Sequence, residues 1–393
     1  MDLTFLSPLY ARSGPWASVY LDASHNTANA DTELQLRWRA LRENLAEQGT
    51  SPDTVHALGD AVLRHDPRPG EYGLALTAAD GEVVLTHYLA APPLRDVATY
   101  EPLPHAMPLV AQRGEEISWL RVLVNRTGAD IDAVSAGCVP RHATVDGGTD
   151  FPLRKVKPGG WSQSRFQRAA EMTWHRNGGD AAKAVTDLGD MIGAEVLVVA
   201  GDPQARQQLI AQLPTRWQRR LVQTDAGSRA VGADPEPLNE VTIQAIAEVA
   251  AEHTRQALDR YAAQEGIGNG LPAVVQALQR NQVDTLLLVD DPSSTERLWI
   301  GPDPTQISVD PDELADMGVR EPQQVRGDAA LLRALTGTHA SLVLVGPDDV
   351  DLDGGVGAVL RYADRSTPGR GDRDVANVTA QGHHQGRGQR RNR

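Results

Sequence analysis

Residues 157–168 read KPGGWSQSRFQR, and this stretch gathers more chemically able side chains than any other in the chain. Gly159 and Gly160 let a backbone approach another surface closely. Pro158 stiffens the entry. Trp161 adds an aromatic face, and Ser162, Gln163 and Ser164 add hydroxyl and amide groups. The carboxamide of Gln163 both donates and accepts hydrogen bonds, so it can orient a water against a carbonyl. The indole of Trp161 donates one N–H and accepts nothing, which suits it to stacking on a flat base.

The charge around this stretch is unlike the rest of the chain. Across residues 154–176, Arg154, Lys155, Lys157, Arg165, Arg168 and Arg176 face Glu171 alone, a local balance of +5. The whole chain of 393 residues carries −14. That global balance argues against blanket attraction to nucleic acid, while a local basic patch suits contact with RNA at one chosen place. The plainer alternative is the solvated face of a helix.

Other motifs carry less. GIGNGLP (266–272) precedes a helical pattern but has no Lys-Ser/Thr of a phosphate loop, so it reads as a hinge and helix cap. GGVGAVLRY reads as a tight turn onto a last helix. His65, His87, His105, His142, His175, His253 and His339 are scattered without metal-ligand spacing, and His383-His384 falls in the tail. Cys138 is the only cysteine, which excludes an internal disulfide and a cysteine-built zinc cluster. We expect no metal and no cofactor. With no apolar run of membrane-spanning length and no basic, then apolar, leader, we expect a cytoplasmic protein without membrane contact.

The elements that must position the 157–168 stretch read as mixed α/β in three consecutive domains. In the first, 1–112, WASVYLDA (16–23) is a strand, and Leu34, Trp38, Leu41 and Leu45, then Val55, Leu58 and Val62, recur at helical spacing. YGLALTA and EVVLTHYL around Asp80-Gly81 form a hairpin. Pro92, Pro93, Pro102, Pro104 and Pro108 mark a loop-rich exit. The middle domain, 113–265, opens with two strands turning at Thr127-Gly128. A helix over about 164–190 follows, with Phe166, Ala170 and Trp174 toward a core and the arginines outward. AEVLVVAG (194–201) is a buried strand. Helices follow over 203–213 and 236–264, the second with Ile243, Ile246, Val249 and Ala250 on one face. The third domain, 266–365, alternates helix and strand as an α/β sandwich. The tail, 366–393, is basic and too poor in large apolar residues to fold.

Residues 159–168 resemble the tip motif of archaeal- and eukaryotic-type release factors, Gly-Gly-Gln-Ser-x-x-Arg-Phe-x-Arg. Every fixed position matches but one, where Trp161 stands for the glutamine. The chain to about residue 365 is similar to the bacterial branch of the release factor and Pelota superfamily. That branch includes Vms/Ankzf-type peptidyl-tRNA hydrolases and the ribosome-hibernation factor Balon with its actinobacterial relatives. The resemblance implies a ribosomal address: the A site, with the middle-domain tip reaching toward the peptidyl-transferase centre and P-site tRNA. Gly159, Gly160, Trp161, Ser162 and the cations of 154–176 would contact RNA. A translational GTPase is an implied partner, and DNA is not. The codon-reading motifs Asn-Ile-Lys-Ser and Tyr-x-Cys are absent from this sequence. Two activities stay open. The chain occupies the site without chemistry, or it cleaves the peptidyl-tRNA ester with Gln163 in the Gly-x-x-Gln spacing of the Vms-type branch.

Overall fold

The computed structural model describes residues 1–135, 141–146, 161–230, 232–264, 268–291, 294 and 296–362, with side chains of the helix opening at Trp161 described from Arg176 onward. Cys138, the glycine pair and the tail 366–393 therefore lie outside the described residues. The chain divides into two compact bodies: Met1–Gly114 together with the chain from Gln256 onward, and Glu115–Arg255.

The first body begins with a 3-10 turn (Thr4–Leu6) running into α1 (Ser7–Tyr10). Then come β1 (Trp16–Asp22), α2 (Ala30–Glu47), α3 (Pro52–Leu63), β2 (Gly73–Ala79), β3 (Glu82–Leu89), β4 (Val97–Glu101) and α4 (Met107–Arg113). The four strands form an antiparallel sheet in the order β3-β2-β1-β4. Asp80 and Gly81 both take positive φ, 50° and 78°, as the primed hairpin turn requires. α3 starts where Ser51 Oγ accepts from the Thr54 N–H at 3.3 Å, with Pro52 in the first turn, where its missing N–H costs nothing. The stripe Leu34, Trp38, Leu41 and Leu45 is buried against Leu58, Val62, Val19 and Leu76. The proline-rich exit is more structured than its composition predicts. β4 fits between the prolines, and Pro108 sits at the start of α4, a position a helix tolerates.

The second body holds β5 (Trp119–Asn125), β6 (Gly128–Val134), β7 (Arg141–Asp146), α5 (Trp161–Ile192), β8 (Val196–Gly201), α6 (Pro203–Gln212), α7 (Thr215–Gln218), β9 (Leu221–Gln223) and, up to Arg255, α8 (Glu236–Ala262). Its sheet runs β7-β6-β5-β8-β9, with β5, β8 and β9 parallel and β6 and β7 antiparallel. On one face Ala181, Val185, Leu209 and Trp217 cover Leu120, Val122 and Val199; on the other, Leu238 and Ala245 of α8 cover Val196, Val198 and Ala200. β8 is buried on both sides, which is why it reads as an unbroken apolar run. Ile243 does not join this face. It is 66% exposed, because at about 100° per residue it lies about 140° round the helix from Leu238.

From Gln256 the chain returns to the first body. Ala257 and Tyr261 of α8 pack with Leu287 and Val359. α9 (Leu271–Gln279), β10 (Val283–Val289), β11 (Arg297–Ile300), β12 (Ile307–Ser308), α10 (Pro311–Asp316), β13 (Gln323–Arg326), α11 (Gly327–Thr338), β14 (Ser341–Val345) and β15 (Val356–Leu360) follow. They build two three-stranded sheets, β14-β10-β15 and β12-β11-β13. The stretch expected to turn onto a last helix is instead β15, antiparallel to β10. Gly357 belongs in that strand for a packing reason: a Cβ there would lie 2.9 Å from the Tyr261 ring and 2.7 Å from Leu352. Leu3, Leu6 and Leu9 are buried in the same cluster as Leu278, Leu331 and Leu335, so the two chain segments of this body share one core.

Candidate functional site

α5 carries the candidate site at its head. Arg154, Lys155, Lys157, Gly159 and Gly160 precede it, outside the described residues. The helix opens at Trp161, about one turn earlier than its sequence pattern predicts, and extends for 32 residues, about 48 Å. Trp161 is its first residue and Gln163 its third. Ser162, Arg165 and Arg168 also fall in its opening turns, and Arg176, farther along, is exposed. The side chains of 161–175 are outside the described residues, so Phe166, Ala170 and Trp174 are placed on a helix but not on a face.

The other half of α5 is anchored firmly. Ala181, Ala182 and Val185 are buried on the sheet. Asn177 is buried, and its Nδ2 donates to the Arg126 carbonyl at 3.2 Å, tying the helix to the β5–β6 turn. Two glycines bring neighbours close. A Cβ at Gly178 would lie 3.2 Å from the Gln208 backbone carbon of α6, and a Cβ at Gly189 would lie 2.3 Å from the Trp217 ring. Arg216 on α7 pairs with Asp190 at 2.6 Å.

The opposite sheet face carries a polar row that the sequence reading missed. Arg121 donates to Asp132 Oδ2 from Nε (3.0 Å) and Nη2 (2.8 Å), and from Nη1 to Asn239 Oδ1 (2.6 Å) on α8. His142 Nδ1 meets Asp132 Oδ1 at 2.8 Å, and its Nε2 lies 3.4 Å from Thr144 Oγ1. Burial pushes the Asp132 carboxyl up, but the hydrogen bonds from His142 and Arg121 outweigh it and hold the carboxyl below its ordinary value. Arg229 clasps both oxygens of Asp130, donating from Nε to Oδ2 at 2.7 Å and from Nη2 to Oδ1 at 2.8 Å. A carboxylate, an imidazole and a hydroxyl in line resemble a hydrolytic relay. Here, however, His142 and Thr144 stand exposed on an edge strand. The row's effect is to lock β5, β6 and β7 in register.

The signal for this row was available. Strands that leave a two-residue turn at Arg126-Thr127 pair Arg121 with Asp132 and Leu123 with Asp130. Reading the turn one residue later, at Thr127-Gly128, shifts each partner by two and pairs Arg121 with Val134 instead. On α8, His253 bridges Glu115 (2.7 Å) and Glu195 (3.0 Å), a tie that histidine spacing alone did not reveal. Among the described residues, no group of three or more His, Cys, Asp or Glu side chains is arranged to hold a metal ion. No helix among them is long and apolar enough to cross a membrane.

The second body, whose sequence reads Gly-Gly-x-Ser-x-x-Arg-Phe-x-Arg at 159–168, is of a release-factor-like class. Residues 118–267 match the family described as bacterial archaeo-eukaryotic release factor family 2. Uncharacterized protein Rv2629 of Mycobacterium tuberculosis H37Rv is 30% identical over 361 residues, covering 90% of this chain and 95% of that one. Uncharacterized protein MT2704 of M. tuberculosis CDC 1551 matches to the same extent. The chain belongs to the bacterial archaeo-eukaryotic release factor family. Among solved structures, Archaeoglobus fulgidus Pelota is similar at 13% identity and a TM-score of 0.33, covering 93% of each chain. Saccharomyces cerevisiae Dom34, a translation termination-like factor, is similar at 8% identity and a TM-score of 0.38, covering 93% of this chain and 94% of that one.

Proposed function

We propose that this chain binds the ribosome as a non-codon-reading, release-factor-like protein, occupying the A site and reaching toward the peptidyl-transferase centre as a hibernation or stalled-ribosome factor. The observation that carries this reading is the sequence run 159–168, whose residues from Trp161 onward open α5, in a chain of the release-factor family. The glycines suit passage into a narrow RNA cavity. Arg154, Lys155, Lys157, Arg165, Arg168 and Arg176 suit its phosphates, and Trp161 suits stacking on a base. Ribosomal RNA and P-site tRNA are the proposed partners, with a translational GTPase as the delivering protein. Trp161 favours occupation over cleavage, since its indole cannot accept the hydrogen bond that a water-positioning amide accepts.

One observation favours a second reading, peptidyl-tRNA ester hydrolysis. Gly160-Trp161-Ser162-Gln163 keeps a carboxamide three residues after the glycine, inside the first turn of α5. The deciding experiment presents the protein to ribosomes carrying peptidyl-tRNA in the P site. Under the occupation reading, wild type and Gln163→Ala release no peptide beyond background. Release by the wild type that Gln163→Ala abolishes would replace it with the hydrolase reading. Co-sedimentation tests the premise of both, and failure to bind ribosomes at low salt would remove both.

A further inference from the structure

The first body displays an arginine held ready on an aromatic ring. Arg68 Cζ sits 3.6 Å from the centroid of the Tyr88 ring, at van der Waals distance, while Arg68 itself is exposed. Among the described residues it makes no ion pair within 4.0 Å, and its exposure leaves the side away from the ring open.

Its support is unusually fixed for a surface loop. Pro67 and Pro69 flank it and set their own φ angles. The Arg68 N–H donates to Tyr72 Oη at 3.2 Å. His65 Nδ1 lies 2.8 Å from the Val62 carbonyl, which can only accept. His65 therefore carries its proton there, and its Nε2 accepts from Tyr72 Oη at 2.9 Å. Tyr88 Oη donates to the Asp66 carbonyl at 3.0 Å. The rings of His65, Tyr72 and Tyr88 lie 5.9–6.3 Å apart, so the platform beneath Arg68 is a packed aromatic triangle.

The chemistry of the ligand follows from the charge. Over residues 64–71, Arg64 and Arg68 are balanced by Asp66 and Glu71. This loop has no net field to gather phosphates. What it offers is the outer face of a weakly hydrated, planar guanidinium whose inner face is already covered, and the partner of such a plane is another plane. Resting on the ribosome-binding reading, we infer that Arg68 on Tyr88 is a stacking platform for one unpaired nucleobase of ribosomal RNA, separate from the basic stretch 154–176.

The test uses the full chain and bacterial ribosomes, measuring affinity across a salt series together with ultraviolet crosslinking of RNA to the peptide containing residues 64–72. Arg68→Ala is expected to weaken binding about tenfold, the loss of one stacked base, with the salt slope retained. Arg68→Lys keeps the charge but loses the plane, so it should weaken binding nearly as much. Tyr88→Phe keeps the ring but loses the bond to the Asp66 carbonyl, so it should weaken binding less than Arg68→Ala does. The crosslink should appear with wild type and vanish with Arg68→Ala. If wild type binds but Arg68→Ala binds equally well, or Arg68→Lys restores full affinity, the platform is overturned and the functional reading stands. If wild type does not bind ribosomes, both fall.

Discussion

Gly189→Ala sets two physical effects against each other and tests how α5 is anchored. In an exposed helix interior, replacing glycine by alanine stabilises by about 1 kcal/mol, because glycine has more backbone freedom to lose. At position 189 the new Cβ would fall 2.3 Å from both Cη2 and Cζ2 of Trp217 and 2.9 Å from Leu120 Cδ1. Normal carbon contacts begin near 3.4 Å, so the helix or the ring must move by about an ångström. Trp217 has little room: it is 1% exposed and packed among Val185, Leu209 and Leu213. Overpacking of this kind costs about 1–3 kcal/mol, and a shortfall this large belongs at the upper end. The expected net effect is a destabilisation of about 2 kcal/mol. Gly179→Ala on the same helix is the control. Its Cβ would meet only the side-chain end of Gln212, at 2.8 Å, which can swing aside, so this substitution should be neutral or stabilising. Because the protein has two bodies, a single unfolding midpoint would blur the answer. Native-state hydrogen exchange of the β5 and β8 amides reports on the second body alone. Opening free energies that rise in Gly189→Ala, or fall equally in both variants, would refute the packing of α5 on Trp217.

Reversing charge at Lys155, Lys157 and Arg165 should weaken ribosome co-sedimentation and flatten its salt dependence, and an unchanged affinity and slope would remove this stretch as the contact. His105 gives a pH prediction for the first body. Burial, then Arg326, lowers its pKa from 6.5 to about 4 against the opposing pull of Asp328. The folded state therefore resists a proton that the unfolded chain accepts. Stability is full above pH 6.5 and falls by up to about 3 kcal/mol as pH drops toward 4. Chemical denaturation of His105→Gln between those limits should show a shallower decline, whereas an equal slope would assign the acid sensitivity elsewhere.

The elements legible in the sequence are those whose periodicity reports burial. β1 and β2 are buried along almost their whole length, and the α2 stripe repeats every third or fourth residue, so hydrophobic pattern alone places them. β7 reads RHATVD with no fully buried residue: only Ala143 and Val145 lean on the core, an apolar face too short to stand out in the sequence. β9 has three residues, too few for any period to appear. β15 was obscured by glycines. Gly354 and Gly355, at φ 64° and 72°, do turn the chain, but Gly357 just beyond them admits the Tyr261 ring into a strand. Ile243 shows the limit of composition on a long helix. Its neighbours in type were legible, but the face that packs is chosen by where Leu238 and Ala245 meet the sheet.

The candidate site was legible as a motif because its residues are contiguous, whereas the groups that hold its helix are dispersed along the chain. Asn177 reaches the carbonyl of Arg126, Gly189 makes room for Trp217, and Arg216 pairs with Asp190. None of these pairs has a spacing that marks it in one dimension, since each is created by α5 lying across β5 and beside α6 and α7. This division follows from what each end of the helix must do. On the proposed reading, a surface that meets RNA can be written in successive residues, and Trp161 in place of a glutamine changes its chemistry. An anchor must complement whatever the fold brings against it, so its residues are intelligible only in pairs. The same reasoning separates the two RNA contacts proposed here. The basic stretch acts through charge and loses strength with salt, while Arg68 acts through a plane set by Tyr88 and keeps it. A salt series on the two sets of variants should therefore resolve them as independent contributions.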